Sequence, residues 1–210
     1  MNKETIIRII SSIILLPLVY YSLTYGSVMK SIFIMICFVI SFYEWSMMAK
    51  NKSYAVYGYI FLFFSFYTFY ELSAEIIFIL FVIITCVLTD IGGYVFCKTF
   101  KGPKLTKISP NKTYAGMIGG YTLPLIFISI ILDQTNYPVS LIKILIIVIL
   151  LSTVSQIGDI IISYFKRLSK IKHTGYIIPG HGGLLDRIDG MIFAFPFSYL
   201  ILKLKILQIL

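Results

Sequence analysis

Charged residues are scarce in this 210-residue sequence: only 13% of the residues are Asp, Glu, Lys or Arg, whereas 59% are hydrophobic. Soluble globular domains contain about 25% charged residues, so the composition excludes that class. Linkers rich in Pro or Ser, low-complexity segments and fixed-period repeats are also missing. We therefore predict an all-α, polytopic integral membrane protein that forms one membrane domain over residues 1–210.

Cysteine and histidine are almost absent as well, with three and two copies. Cys37, Cys86 and Cys97 lie in or beside apolar runs and lack the spacing of metal ligands, which favours packing roles over disulfides. No part of the sequence has the composition of a separate soluble catalytic domain. Any chemistry must therefore use loops and helix ends.

Long apolar runs make up most of the chain. A bilayer core takes roughly 20 apolar residues per helix, and the sequence has about seven such runs, near 6–25, 28–49, 54–70, 76–97, 115–132, 141–162 and 188–208. Lys3 and Arg8 precede the first run as in a signal peptide, but no small-residue cleavage site follows. We predict that this run is retained and that the chain has about seven transmembrane helices, with N-terminal helices in 1–85 and a catalytic half in 86–210.

The distribution of basic residues indicates the orientation. If the N-terminus is cytoplasmic, 14 of the 18 Lys and Arg residues fall on the cytoplasmic side and only Lys30, Lys143, Lys203 and Lys205 fall outside. Because basic residues accumulate in cytoplasmic segments, we predict a multi-pass protein of the inner (cytoplasmic) membrane with its N-terminus in the cytoplasm. This pattern accounts for the net charge of +9 without a nucleic-acid partner.

Two basic loops are then expected at the same cytoplasmic face. The first follows Asp90 and places Ser109, Lys112 and Thr113 before a glycine-rich helix start. Backbone amides at such a start can hold phosphate oxygens. Alternatively, this loop is only a basic cytoplasmic loop that contacts anionic lipid head groups.

The second basic loop, residues 163–189, carries five cations, two histidines, Asp186, Asp189 and a Pro-Gly-His-Gly-Gly turn. Asp159 lies just before it in an apolar run, and an ionisable group at that depth normally faces a polar cavity or a partner. Three carboxylates near basic side chains are the groups that a divalent cation and a polyphosphate need.

Simpler interpretations of the same residues stay open. Asp159 can be an ion-pair partner of Lys166 or Arg167, and Asp186 and Asp189 can be helix N-terminal acids. His181 can be a turn residue bonded to backbone. His173 can be a solvated loop residue. Glu44, which is next to Trp45, can be an anchor at the membrane interface.

The C-terminal half, from about residue 90, resembles a known family. The matching runs are Ser163-x-x-Lys166-Arg167-x4-Lys172, Pro179-x-His181-Gly182-Gly183-x-x-Asp186-Arg187-x-Asp189, Gly158-Asp159 and Ser109-Pro110-x-Lys112-Thr113-x-x-Gly116. They closely resemble the signature of bacterial CTP:phosphatidate cytidylyltransferases, also called CDP-diacylglycerol synthases. The sequence departs from that pattern at His173, where the family has an acid, and at Asn111, Tyr114 and Ala115.

The resemblance implies a nucleotidyltransferase of phospholipid biosynthesis that converts CTP and phosphatidate to CDP-diacylglycerol and pyrophosphate, with Mg²⁺, in a homodimer. The catalytic residues that we predict are Asp159, Asp186, Lys166, Arg167, His181 and Arg187. The predicted substrate-binding residues are Ser109, Lys112, Thr113, Ser163, Lys172, Gly182 and Gly183. The predicted metal ligands are Asp159 and Asp186, assisted by Asp189 and Asp90, with a second cation left open.

Two other functions are weighed against this one. A CDP-alcohol phosphotransferase needs Asp-Gly-x-x-Ala-Arg with further aspartates downstream; Asp189-Gly190 begins that way, but Phe193 and Ala194 break the motif. A non-catalytic lipid transporter would use Asp159 for ion coupling and would show inverted repeats with a site at mid-membrane. The charges here are instead concentrated in the cytoplasmic loops.

Overall fold

The computed structural model describes residues 17–106, 109, 112–133, 140–177 and 182–204. Residues 17–24 are helical. The following elements are α1 (Ser27–Met48), α2 (Ala55–Leu72), α3 (Ile76–Phe100), α4 (Tyr114–Asp133), α5 (Leu141–Leu168), α6 (Leu185–Ile188) and α7 (Met191–Lys203). An isolated antiparallel β-bridge pairs Lys104 with Thr113.

The helices begin and end where the backbone leaves the helical conformation. Gly26, with φ of 123°, precedes α1, and Lys101 and Gly102, with φ of 53° and 108°, follow α3. A positive φ is unfavourable inside a right-handed helix, so these residues separate the elements. Proline occurs inside two helices, at Pro124 in α4 and Pro196 in α7.

The predicted all-helical membrane architecture is confirmed. Within the described ranges, four helices are long and apolar enough to cross a bilayer, namely α1, α3, α4 (over Tyr114–Ile131) and α5, while α7 is a shorter apolar helix. Helix α2 fills the predicted run at 54–70, and α7 lies in the last predicted run, 188–208, whereas α6 ends at the first residue of that run. Most of the first run, 6–25, lies outside the described residues, and the predicted count of seven spans is not confirmed.

Small and aromatic residues pack the helices together. Helices α3 and α4 lie closest where Gly92 faces Gly119, since a Cβ at Gly92 would lie 2.9 Å from Cβ of Leu123 and closer still to the Gly119 carbonyl. Phe69 of α2 and Phe195 of α7 stack with ring centroids 4.4 Å apart. Close backbone approach through small residues is typical of helix pairs in membranes.

Hydrogen bonds between distant segments show which helix ends lie together. At one end, Lys30 Nζ of α1 donates to the carbonyl of Ser73 at 2.7 Å. At the other end, the hydroxyls of Tyr54 and Ser169 are 2.6 Å apart. The end containing Ser169 therefore also holds the loops that precede α2 and α6, and the charged site lies there.

Candidate active site

A cavity of about 410 Å³ opens between α3, α4, α5 and the segment that leads into α7. This volume falls within the range of about 300–1,000 Å³ typical of small-molecule sites. Ten of the residues predicted for the site line it: Asp90, Lys112, Thr113, Asp159, Lys166, Arg167, Lys172, Asp186, Arg187 and Asp189. The two basic loops predicted to share a face thus share one cavity.

The first basic loop folds back on itself before α4. The amide of Leu105 donates to the carbonyl of Lys112 at 2.7 Å, and the amide of Tyr114 donates to the carbonyl of Pro103 at 3.2 Å. Thr113 Oγ1 accepts a hydrogen bond from the amide of Gly116 at 3.1 Å, which satisfies a free N–H in the first turn of α4. These bonds hold Lys112 at the cavity wall.

Lys112 forms an ion pair with Oδ2 of Asp159. Oδ1 of Asp159 accepts from the hydroxyl of Ser163, one turn later in α5, at 3.3 Å. The alternative interpretation paired Asp159 with Lys166 or Arg167. That partner is wrong, because among the described residues Asp159 forms its salt bridge with Lys112. Asp90 of α3 is exposed along the same cavity and interacts electrostatically with Asp159, Lys112 and Arg187.

Three charged residues are buried side by side deeper in the wall. Nζ of Lys166 lies 2.9 Å from Oδ1 of Asp186 and 3.6 Å from Oδ2 of Asp189. The side chains of Lys166, Asp186 and Asp189 are only 10%, 5% and 9% exposed. One ammonium thus faces two carboxylates, so this group carries a formal net charge of −1.

Asp186 is held in place by backbone as well as by Lys166. Its Oδ2 accepts from the amide of Thr174 at 2.9 Å and from the amide of Gly183 at 3.2 Å. Burial alone would raise the pKa of Asp186, but Lys166 and the two amides hold this pKa below its ordinary value. The carboxylate is therefore ionised and fixed in one orientation.

Some predicted residues do not line the cavity. Ser109 donates its amide to Thr106 Oγ1 at 3.2 Å, and Ser163 bonds to Asp159 behind the wall. Gly182 has φ of 87° and forms the turn beside Asp186, where a Cβ would lie 2.7 Å from Oδ2 of that residue. Gly183 contributes its amide to Asp186, and His181 lies outside the described residues.

Other cavity residues were not predicted as site residues. The wall also contains Thr89, Gly93, Tyr94, Cys97, Leu105, Gly116, Met117, Gln156, Ile160 and His173. Most are neutral residues inside apolar runs, and nothing in the sequence distinguishes them from packing residues. His173, interpreted as a solvated loop residue, is 47% exposed and places Nδ1 3.7 Å from Oδ2 of Asp186.

Glu44 corrects one interpretation. Predicted to be an interfacial anchor, it is only 1% exposed and accepts three hydrogen bonds from the segment around Asp186. The sequence did contain a signal for this role, because Glu44 is the sole acid in the apolar run 28–49. An acid in an apolar run was also the reason for predicting a site at Asp159.

The carboxylates do not by themselves form a metal centre. Within the parts of the chain that the structure describes, no three His, Cys, Asp or Glu side chains lie close enough to hold an ion. The oxygens of Asp186 are occupied by Lys166 and two amides, and Oδ1 of Asp189 accepts from the amide of Gly190 at 3.0 Å. The side chains of Asp90 and Asp159 are more exposed than those of Asp186 and Asp189.

Fold and cavity together define a multi-pass membrane protein with a polar, mixed-charge pocket at one end of its helices. Residues 53–205 match the profile of the cytidylyltransferase family. A phosphatidate cytidylyltransferase of Rickettsia typhi is 35% identical over 212 residues, which cover 93% of this chain and 91% of the relative. The chain therefore belongs to the cytidylyltransferase family, as the resemblance of its motifs predicted.

Other relatives are longer than this chain. A phosphatidate cytidylyltransferase of Staphylococcus saprophyticus is 35% identical over 163 residues, covering 77% of this chain and 60% of the relative. One of Bacillus subtilis is 41% identical over 117 residues, covering 55% of this chain and 44% of the relative. The chain thus matches only about half of the length of these two proteins.

Proposed function

We propose that this protein transfers the cytidylyl group of CTP to phosphatidate, giving CDP-diacylglycerol and pyrophosphate. One observation carries the proposal. The Lys, Arg and Asp residues of the runs that match the family signature line one cavity at a single end of the helices. Membership of the cytidylyltransferase family and the names of its relatives support the same reaction.

The reaction needs positioning and charge neutralisation more than proton transfer. A phosphate oxygen of phosphatidate attacks the α-phosphorus of CTP in line, and the bond from that phosphorus to the bridging oxygen of the β-phosphate breaks. Its electron pair leaves with pyrophosphate. Lys112, Arg167, Lys172 and Arg187, which all line the cavity, would neutralise the phosphates during this displacement.

Lys166 and Asp186 would act together from the buried part of the wall. Their ion pair is nearly closed to solvent, and Lys166 also faces Asp189. We infer that Lys166 keeps Asp186 ionised and holds both carboxylates in place while presenting its charge to the substrate phosphates. Arg187, next in sequence to Asp186, would contact the same phosphates.

The donor set fits a hard divalent cation that is shared with the substrate. Mg²⁺ in nucleotide-dependent enzymes is usually held by one or two carboxylates together with substrate phosphates, and Asp90 and Asp159 form such a pair at the cavity. We propose these two as the principal ligands of Mg²⁺, with Asp186 and Asp189 nearby. When bound, the ion would neutralise charge on the phosphates.

The lipid substrate would reach the cavity from the cytoplasmic leaflet of the inner membrane, which is the orientation predicted from the basic loops. Large apolar side chains cover the outer surface of the helices, as expected where they meet lipid. The homodimer implied by the resemblance stays a prediction.

The test is conversion of labelled CTP and phosphatidate to CDP-diacylglycerol by detergent-purified protein, with Mg²⁺ or with EDTA. Product should require phosphatidate, and diacylglycerol, which lacks the phosphate nucleophile, should not replace it. Asp186→Asn should lose at least about 100-fold in turnover, because Asn has no charge to face Lys166 and only one acceptor oxygen for the three donors that Asp186 binds. Folded wild-type protein that binds both substrates and forms no product would refute the proposal.

A further inference from the structure

We propose that Glu44 is a positioning residue of this active site: from α1, its buried carboxylate holds the loop that orients Asp186. The loop is defined here as residues 174–185, of which 174–177 and 182–185 are described. The inference rests on the proposed function, since it assigns Glu44 a part in that reaction. Glu44 lies outside residues 53–205, the segment that matches the family profile.

The carboxylate of Glu44 is fully enclosed and is satisfied by the loop. Its Oε2 accepts from the hydroxyl of Thr174 at 3.0 Å and from the amide of Leu185 at 2.8 Å, while Oε1 accepts from the amide of Leu184 at 2.9 Å. Among the described residues it makes no salt bridge. A buried carboxylate without a cation depends on such donors, so Glu44 and the loop stabilise each other.

Glu44 and Asp186 hold the same loop from two sides. Thr174 donates its amide to Asp186 and its hydroxyl to Glu44. At the other end of the loop, the amide of Gly183 donates to Asp186, whereas the next two amides donate to Glu44. Both ends of the loop are therefore fixed by a pair of carboxylates.

The close fit leaves no room for the loop to move towards α1. A Cβ at Gly175 would lie 2.8 Å from Oε1 of Glu44. A Cβ at Gly183 would overlap both Glu44 and Thr174. These two glycines let the backbone approach the carboxylate directly, which is required for the short bonds to the amides.

The effect reaches the cavity through Asp186. Glu44 does not line the cavity, but Asp186, Lys166 and Asp189 do. If the loop shifts, Asp186 loses two amide donors and its alignment with Lys166. Displacement of a catalytic group by about 1 Å can cost roughly 100-fold in rate, so Glu44 should affect turnover without touching the substrates.

The first experiment compares Glu44→Gln with wild type and with Glu75→Gln, a matched change at an exposed residue before α3. Gln keeps the size but only one acceptor oxygen, so at least one loop donor loses its partner. We expect kcat to fall about 10- to 100-fold while KM for CTP changes less. Trypsin cleavage after the exposed Lys172 should become at least about fivefold faster. Glu75→Gln should resemble wild type in both measurements.

Thr174 provides a milder second pair of variants. Thr174→Val removes the hydroxyl donated to Glu44 but keeps the amide donated to Asp186, whereas Thr174→Ser keeps both. We expect Thr174→Val to lower kcat and to speed trypsin cleavage less than Glu44→Gln does. Thr174→Ser should have wild-type values in both measurements. If Glu44→Gln does not fold, this pair decides the question.

The outcomes separate the two proposals. Faster cleavage with unchanged kcat, or lower kcat with unchanged cleavage, would overturn the positioning role, because turnover and loop order would then be independent. If wild type forms no CDP-diacylglycerol, the proposed function fails, and the assignment of Glu44 to that reaction fails with it. The cleavage rates would then still show whether Glu44 holds the loop.

Discussion

Nζ of Lys166 and Oδ1 of Asp186 are 2.9 Å apart although 20 residues separate them in the chain. This contact fastens the end of α5 to the beginning of the last helical segment. Among the described residues, Lys166 is also the only buried cation of the site, and the contact places it next to the carboxylate on which the loop converges.

Lys166→Met should destabilise the protein strongly, because Asp186 and Asp189 would stay buried without their ammonium partner. Breaking a buried ion pair typically costs about 3–5 kcal/mol, which corresponds to a drop in Tm of roughly 6–20 °C for a chain of this size. Thermal unfolding in detergent measures the change, and Lys50→Met, at an exposed residue after α1, is the control. The double variant Lys166→Met/Asp186→Asn should recover part of the stability and none of the activity.

Lys112 and Asp159 should be coupled in CTP binding. Lys112→Gln removes a cation from the cavity wall and should raise KM for CTP about tenfold, while Asp159→Asn should mainly lower kcat. In a double-mutant cycle the two effects should be non-additive because the side chains form an ion pair. Lys143→Gln, 16 residues before Asp159 in α5 and therefore about 24 Å away, should leave both constants unchanged. Fully additive effects would argue against a functional pair.

Asp90 should determine how much divalent cation the enzyme requires. EDTA should abolish turnover, and Asp90→Asn should raise the Mg²⁺ concentration for half-maximal rate about tenfold, since one of two anionic ligands is lost. A titration of activity with Mg²⁺ at saturating CTP measures this. Asp133→Asn, at the opposite end of α4 from the first basic loop, is the matched control. An unchanged requirement in Asp90→Asn would remove Asp90 from the cation site.

Two adjacent glycines should differ sharply in their tolerance of a methyl group. Gly92→Ala places Cβ against the backbone carbonyl of Gly119, whereas Cβ at Gly93 would meet the Gly116 carbonyl at an ordinary 3.6 Å. Overpacking typically costs about 1–3 kcal/mol, so Gly92→Ala should lower Tm by roughly 2–12 °C. Gly93→Ala should change Tm little. Equal shifts would mean that α3 and α4 are not as close as described.

The two ends of the helices should be labelled from opposite sides of the membrane. In a variant without the three native cysteines, Tyr176→Cys should react with an impermeant maleimide only in inside-out vesicles, because its loop is predicted to be cytoplasmic. Glu75→Cys should react on intact cells. Tyr176 is 90% exposed, so access to the reagent does not limit the first measurement. The reverse pattern would invert the predicted orientation.

Sequence patterns predicted the site better than its internal contacts. Charge placement predicted that the loops around Lys112 and Asp186 lie at one face, because two predicted spans separate them, and the structure places Asp90, Lys112, Asp159 and Asp186 at one cavity. The partners of these residues could not be predicted in the same way. Lys112 reaches Asp159 from a loop that folds back on itself before α4, and sequence patterns do not predict this loop conformation.

Glu44 shows why the rest was missed. Sequence reasoning placed it near a membrane interface beside Trp45, which is the right depth for an anchor. Its actual partners lie 130 to 141 residues away, in a loop whose path is set by tertiary packing. Helix boundaries followed the apolar runs closely, whereas the short helix α6 precedes the last apolar run and was not predicted from hydropathy.

The contact between α1 and the loop makes this molecule difficult to divide into interchangeable parts. A chimera that joins the C-terminal segment to the leading helices of another protein would leave the amides of Leu184 and Leu185 without acceptors unless the new helix supplies a carboxylate at the same depth. Helix α1 and the loop therefore form one structural unit, and engineering or truncation of this protein has to keep them together.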